Sequence, residues 1–176
     1  MSKVKKLQIP LTDADVQSLK AGDEVSLSGV IYTARDMAHK RLCDAIDSGQ
    51  ILPFDPAGAV IYYVGPSPAK PGAVVGAAGP TTSSRMDPFS PKLMAVGVKG
   101  TIGKGYRGTD VIDAMKKNVA VHFSTIGGAG ALLSKHIVSS ELIAYEDLGT
   151  EAIRKLEVVD FPTVVAYDSH GNTVYK

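Results

Sequence analysis

Only one cysteine, Cys43, stands among the 176 residues. That scarcity excludes an internal disulfide and denies the chain, taken alone, the ligand set of a cysteine-rich zinc or iron–sulfur site. An excess of one charge is missing as well. Nineteen basic against eighteen acidic side chains leave a formal net charge of +1, so no broad electrostatic footprint for nucleic acid or an anionic membrane exists, and any anion must be met by local groups. No run approaches the ~18 apolar residues of a membrane span. The basic start Met1-Ser2-Lys3-Val4-Lys5-Lys6 is followed by no apolar h-region of a secretory signal, and the expected compartment is the cytoplasm.

What the chain does contain is ordinary globular usage, 44% hydrophobic and 21% charged, enough for a single domain over residues 1–176. Leu11-Thr12-Asp13-Ala14-Asp15-Val16 reads as a capped short helix. Alternation over residues 24–32 predicts a strand. It leads into a helix capped by Thr33, with Ala38, Leu42, Ala45 and Ile46 on one face and Gly49 as its stop. On that helix Arg35 and His39 share a face near the N-terminus, where free N–H groups favour an anion, or else form a solvated basic face.

Residues 57–64 predict a second strand, ended by the Pro/Gly punctuation of residues 65–72. Residues 92–102 have strand-like character and pass into a glycine-rich loop over residues 99–105. A helix capped by Thr109 carries Val111, Ile112 and Met115. Strands follow at residues 119–123, 137–145 and 162–167, with a short helix at 151–156 and a turn at 168–172. Strands alternate with short helices without a fixed repeat, which defines an α/β class with a mixed sheet.

Residues 79–88, Gly-Pro-Thr-Thr-Ser-Ser-Arg-Met-Asp-Pro, cannot pack a core, and a loop of this composition between apolar segments reads as a binding loop. Arg85 offers a planar fork for a carboxylate, Lys104 a point charge, and Thr81, Thr82, Ser83 and Ser84 neutral donors. Two further glycine-rich turns, Gly103-Lys104-Gly105 and the one in residues 124–133, could cradle an anion. Neither has the spacing of a Walker A or dinucleotide motif. Phosphate and carboxylate both fit this inventory, and the same residues also read as solvated loop cations and turn-formers.

Gly79-Pro80-Thr81-Thr82-Ser83-Ser84-Arg85-Met86 closely resembles the Gly-Pro-Thr-Thr-x-x-Arg-Met signature of the β subunit, or C-terminal domain, of iron–sulfur-dependent class I fumarases and the related tartrate dehydratases. Ala34-Arg35-Asp36-Met37-Ala38-His39 resembles that family's Ala-Arg-Asp-x-Ala-His, and Gly103-Lys104-Gly105 its Lys-Gly loop. Ser124-Thr125-Ile126-Gly127-Gly128, Leu148-Gly149 with Glu151-Ala152-Ile153, and Asp160-Phe161-Pro162 resemble the fumarase branch in particular. Ser83-Ser84 departs from the small residue and glycine that many members carry there.

The resemblance implies a single swivelling β/β/α domain with a mixed sheet and flanking helices, and reversible hydration of fumarate to malate. By the same resemblance Thr81 is the proton-abstracting base; Arg35, Thr82, Arg85 and Lys104 bind the substrate carboxylates; and His39 is an auxiliary group. It further implies a 4Fe-4S cluster held by three cysteines of a separate α subunit, with no metal in this chain. The implied assembly is a hetero-oligomer, with a homodimer of β chains as an alternative. Alternative activities are tartrate dehydration and non-catalytic dicarboxylate binding or assembly.

Overall fold

A computed structural model of the chain describes residues 3–125 and 130–175. The alternation that begins at Glu24 forms strand β2 (Glu24–Thr33), which pairs in parallel with β1 (Lys5–Gln8) along its first half and with β3 (Val60–Tyr62) at its end. Strand β4 (Gly100–Ile102) and then β5 (Val121–Thr125) continue the parallel run. The long β7 (Ile153–Tyr167) is antiparallel to both β5 and β2, with β6 (Ile137–Ala144) added along its first half. These pairings close β2, β3, β4, β5 and β7 into a ring. Alternate residues of all five strands, among them Leu27, Ile31, Val60, Tyr62, Ile102, Phe123, Leu156 and Val165, form one buried cluster that fills it.

Helices cover the outside. Helix α1 (Asp13–Gln17) starts with a capping box, in which Thr12 Oγ1 accepts from the Asp15 N–H at 3.1 Å and Asp15 accepts from the Thr12 N–H at 3.0 Å. Helix α2 (Asp36–Asp47) and α3 (Ser90–Ala95) bury Ala38, Leu42 and Leu93 against Ile61 and Tyr63. These two residues are the odd-numbered face of the strand whose even-numbered face fills the ring. Met94 of α3 packs with Val111 and Met115 of α4 (Thr109–Asn118) and with Tyr167. A short α5 (Gly130–Leu133) precedes β6. No helix among the described residues is long and apolar enough to cross a membrane.

Several local expectations are corrected. Thr33 does not cap α2; it ends β2, where its hydroxyl donates to the Ala152 carbonyl at 3.2 Å and accepts from the Arg154 N–H at 2.9 Å, so Arg35 takes the cap position. Gly108, not Thr109, precedes α4, with its N–H on the Asp87 carboxylate at 2.7 Å. Residues 92–102 are not one strand. Pro91, whose fixed φ suits a first helical turn, opens α3, and Gly97 at φ 124° turns the chain so that only Gly100–Ile102 enters the sheet. Residues 151–156 are not helical: a 3₁₀ turn occupies Glu146–Glu151, and Ile153 and Leu156 belong to β7, whose pairing on both edges overrides local preference.

Candidate active site

The sequence places its candidate residues just past the carboxyl ends of the parallel strands, and backbone hydrogen bonds hold them there. Arg35 follows β2, and the Ala34 N–H donates to the Tyr62 carbonyl at 3.1 Å. The loop 79–88 returns to the end of β3, where the Thr81 N–H donates to the Tyr63 carbonyl at 2.8 Å. Lys104 follows β4: its N–H donates to the Thr81 carbonyl at 3.2 Å, and its carbonyl accepts from the Ser83 N–H at 2.7 Å. Residues 81–83 thus run as one more short parallel pairing beside Lys104, with Thr82 as its bridge residue. Outside the carboxyl ends of parallel strands is where α/β sheets place their ligands.

Tyr62 anchors the loop from the ring interior, its hydroxyl donating to the Ala78 carbonyl; burial raises the pKa of that phenol and keeps it a donor. Next to Ala78, Gly79 faces Gly130 so closely that a Cβ on Gly130 would stand 2.6 Å from the Gly79 nitrogen. Gly130, the last glycine of the third glycine-rich segment, therefore reaches the loop, while Ile126, Gly127, Gly128 and Ala129 lie outside the described residues. Beside the loop a cleft of about 380 Å³ is lined by Gly79, Pro80, Lys104, Ser124, Thr125 and Tyr175. A second cleft of about 330 Å³, lined by Pro66, Val74, Leu142, Glu146 and Arg154 among others, holds none of the candidate residues.

Arg85 lies in the 3₁₀ turn Ser83–Met86 and is half exposed, its Nη2 paired with Asp36 Oδ2 at 2.6 Å. That ion pair ties the loop to the first residue of α2, next to Arg35. The Arg35 side chain lies over Gly65, where a Cβ would meet its Cδ at 3.1 Å and Nη1 at 3.2 Å. Any larger residue at Gly65 would displace the guanidinium. The ring of His39 is fully buried, so the expected solvated basic face does not exist. Its Nδ1 donates to the Arg35 carbonyl at 2.8 Å, and it packs edge-on to Tyr63 with centroids 5.3 Å apart. Burial pulls the His39 pKa down to about 4, partly opposed by that hydrogen bond and reinforced by the charge of Arg107, so the ring is neutral at pH 7.

Buried side-chain polar atoms almost always find partners. Among the described residues four do not, and three of these, Arg35 Nε, Asp36 Oδ1 and His39 Nε2, sit at the start of α2. Arg35 Nε is an unmet donor whereas Asp36 Oδ1 and His39 Nε2 are unmet acceptors, so the start of α2, flanked by Arg85 and near the loop 79–88, is suited to an anionic ligand that also carries a hydrogen-bond donor such as a hydroxyl. Cys43, by contrast, is buried with its Sγ against the Phe89 carbonyl at 3.7 Å. No cluster of three His, Cys, Asp or Glu able to hold a metal occurs among the described residues. The donors of this chain do not fit an iron–sulfur cluster.

Sequence reasoning passed over Asp36, Asp87, Arg107 and His122. Arg107 is nearly fully buried, ion-paired to Asp87 at 2.9 Å and hydrogen-bonded to Tyr63 and Ser90. Its only signal was an arginine between two glycines just after the Lys104 loop.

A mixed sheet closed into a ring, with a Thr-Thr-x-x-Arg loop, two further cations and unpartnered polar atoms at one end, describes a class of α/β domain with a polar end suited to a small anion. Comparison with known proteins narrows the class. The chain belongs to the family described as Fumarase C-terminus, whose sequence model matches residues 1–176. It is 38% identical over 175 residues to a Geobacillus stearothermophilus protein named as a candidate class I fumarate hydratase, covering 97% of this chain and 33% of that protein. It is 37% identical over 165 residues to the aerobic class I fumarate hydratase of Escherichia coli, covering 93% of this chain and 30% of that enzyme. The chain therefore spans about a third of the length of these relatives. A Methanocaldococcus jannaschii protein named as a candidate β subunit of L(+)-tartrate dehydratase is 37% identical over 172 residues, 94% of this chain and 88% of that protein.

Proposed function

We propose that this chain is the β subunit of a cytoplasmic class I fumarate hydratase, contributing substrate-binding and proton-transfer residues to the reversible hydration of fumarate to malate. The observation that carries the reading is the pairing of residues 81–83 with Lys104 at the strand ends, which sets Thr82 opposite Lys104, joins the Thr81 carbonyl to the Lys104 N–H, and leaves Lys104 lining a cleft beside the loop. Arg85 is tied to Asp36 beside Arg35. The swivelling β/β/α architecture, in which this domain would close over a partner, accords with a site presented at one end of the sheet.

In the dehydration direction, a proton leaves the malate carbon next to one carboxylate, negative charge spreads onto that carboxylate, and the C–O bond on the neighbouring carbon then breaks, releasing hydroxide and leaving the double bond of fumarate. Arg85 and Lys104 stabilise the charge as it develops, and Arg35 with Thr82 holds the substrate. Thr81 Oγ1 takes the proton. A hydroxyl does this only as the alkoxide, which the surrounding cations favour and the fixed Thr81 peptide aims. His39 holds the Arg35 carbonyl in place. A 4Fe-4S cluster would be held by a cluster-bearing α subunit, because the single cysteine of this chain cannot supply three thiolate ligands.

A second reading, the β subunit of an L(+)-tartrate dehydratase, is favoured by the one relative compared above whose length this chain nearly matches, at 88% coverage. The two are separated by assaying the two-chain complex, anaerobically, against fumarate, malate and tartrate. Turnover of fumarate at the higher kcat/KM supports the first; turnover of tartrate alone selects the second.

A further inference from the structure

A buried polar network outside the substrate-binding set runs from Arg107 to the middle of the Thr-Thr-x-x-Arg loop. The Arg107 guanidinium places Nε on Asp87 Oδ1 at 2.9 Å, Nη2 on Ser90 Oγ at 2.5 Å, and Nη1 on the Tyr63 hydroxyl at 3.0 Å and on His122 Nδ1 at 3.4 Å. His122 is fully buried, with Thr101 Oγ1 2.6 Å from its Nδ1 and Ser83 Oγ 3.0 Å from its Nε2. A guanidinium can only donate, so Nδ1 is an acceptor and the single ring proton of the neutral imidazole resides on Nε2. Nε2–H then donates to Ser83 Oγ.

Ser83 is held on three sides. Its N–H donates to the Lys104 carbonyl at 2.7 Å, its hydroxyl meets His122, and its side chain lies so tightly on Gly103 that a Cβ there would stand 2.3 Å from Oγ. Ser83 lies two residues from Thr81 and two from Arg85. We infer that His122 is a positioning residue for that loop: as a neutral Nε2–H imidazole, its tautomer set by Arg107, it fixes Ser83 and thereby the placement of Thr81 and Arg85. This rests on the dicarboxylate reading of the loop. Burial first, and the charge of Arg107 second, push the His122 pKa well below its ordinary value, so the donor is present throughout the neutral range. The other ends of the network, Asp87 and Ser90, lie two and five residues after Arg85, so its contacts, with Ser83 on the other side, bracket Arg85.

The test uses the complex assembled with its cluster-bearing partner and the variants His122→Phe, His122→Gln, Ser83→Ala and the Phe/Ala double. A reacting group displaced by ~1 Å costs about 100-fold. His122→Phe and Ser83→Ala should each lower kcat by about tenfold to 100-fold with a smaller change in KM, and the double variant should be no worse than His122→Phe, because the His122–Ser83 contact that Ser83→Ala removes is already lost in His122→Phe. His122→Gln, which returns an N–H close to the Nε2 position, should recover most of the loss. Hydrogen exchange gives a readout independent of turnover: the Thr81 and Ser83 amides should exchange faster in His122→Phe and Ser83→Ala, while those of β2 stay protected. Unchanged kcat, or additive losses, or unchanged exchange at Thr81 and Ser83 would overturn the inference. Should His122→Phe not fold, Ser83→Ala against wild type decides by the same two criteria. If the wild-type complex turns over no dicarboxylate, the functional reading fails by itself, and the exchange result still decides whether His122 positions the loop.

Discussion

Replacing Arg85 by alanine separates the role of the loop from the stability of the fold. In the structure its guanidinium is half exposed and makes one ion pair, at 2.6 Å, with an Asp36 side chain that is 31% exposed. Pairs of this kind are worth about 0–1 kcal/mol, because solvent screens them and two side chains must be ordered. A loss of 1 kcal/mol would lower the melting temperature of a chain this size by only about 2–4 °C. Removing one partner of a desolvated guanidinium–carboxylate contact costs about 2–5 kcal/mol. At about 1.4 kcal/mol per factor of ten that is a fall of roughly 30-fold to several thousandfold in kcat/KM. Arg85→Lys keeps the charge but not the two-pronged fork, and should recover only part of it. The assay is initial-rate hydration by the two-chain complex beside calorimetric melting of the same samples. A change in kcat/KM below about threefold, or a melting temperature falling far more than one surface pair allows, would refute the assignment.

Thr81→Val keeps the shape and removes the hydroxyl, and should lower kcat by at least about 100-fold with KM little changed if the hydroxyl moves the proton; retained turnover, followed by steady-state kinetics, would leave it a positioning role. Gly103→Ala would press a methyl against Ser83 Oγ at 2.3 Å and Tyr63 Cδ2 at 2.8 Å. Overpacking of this kind should destabilise by about 1–3 kcal/mol in denaturant titrations. For pH, the folded-state pKa of His39 lies near 4, below its ordinary 6.5, so the unfolded chain takes up the proton first and stability falls as pH drops from 6.5 to 4. The linked loss is on the order of 2 kcal/mol by about pH 5, and His122 acts in the same direction. His39→Gln should flatten the slope between pH 7 and 5; an unaltered slope would contradict the assignment.

Elements with a strong local signal were legible from the residues. Thr12 and Asp15 announce α1 by their mutual capping, and the apolar stripe of Ala38, Leu42 and Ala45 with Gly49 behind it announces α2. What could not be read depends on distant partners. Thr33 looks like a cap, but its hydroxyl is taken by the backbone of Ala152 and Arg154, more than a hundred residues away. Residues 153–156 look helical until β2 and β6 pair with them on both edges. His39 looks like a surface neighbour of Arg35, yet the packing of Tyr63 and Phe89 around its ring makes it core. The loop 79–88 was legible as a binding segment because nothing in it could pack. The network that holds it was not, because Arg107, His122 and Ser83 are joined only when β4 and β5 pair.

The central claim is that this chain supplies half of a dicarboxylate site and a cluster-bearing subunit the rest. It is tested most directly by measuring hydration of fumarate, under anaerobic conditions, for the chain alone, the partner alone and the two mixed. The account predicts negligible turnover from either separately and full activity on mixing, abolished by Arg85→Ala. Hydration by the chain alone at the rate of the mixture, or a mixture inactive towards both fumarate and tartrate, would contradict it.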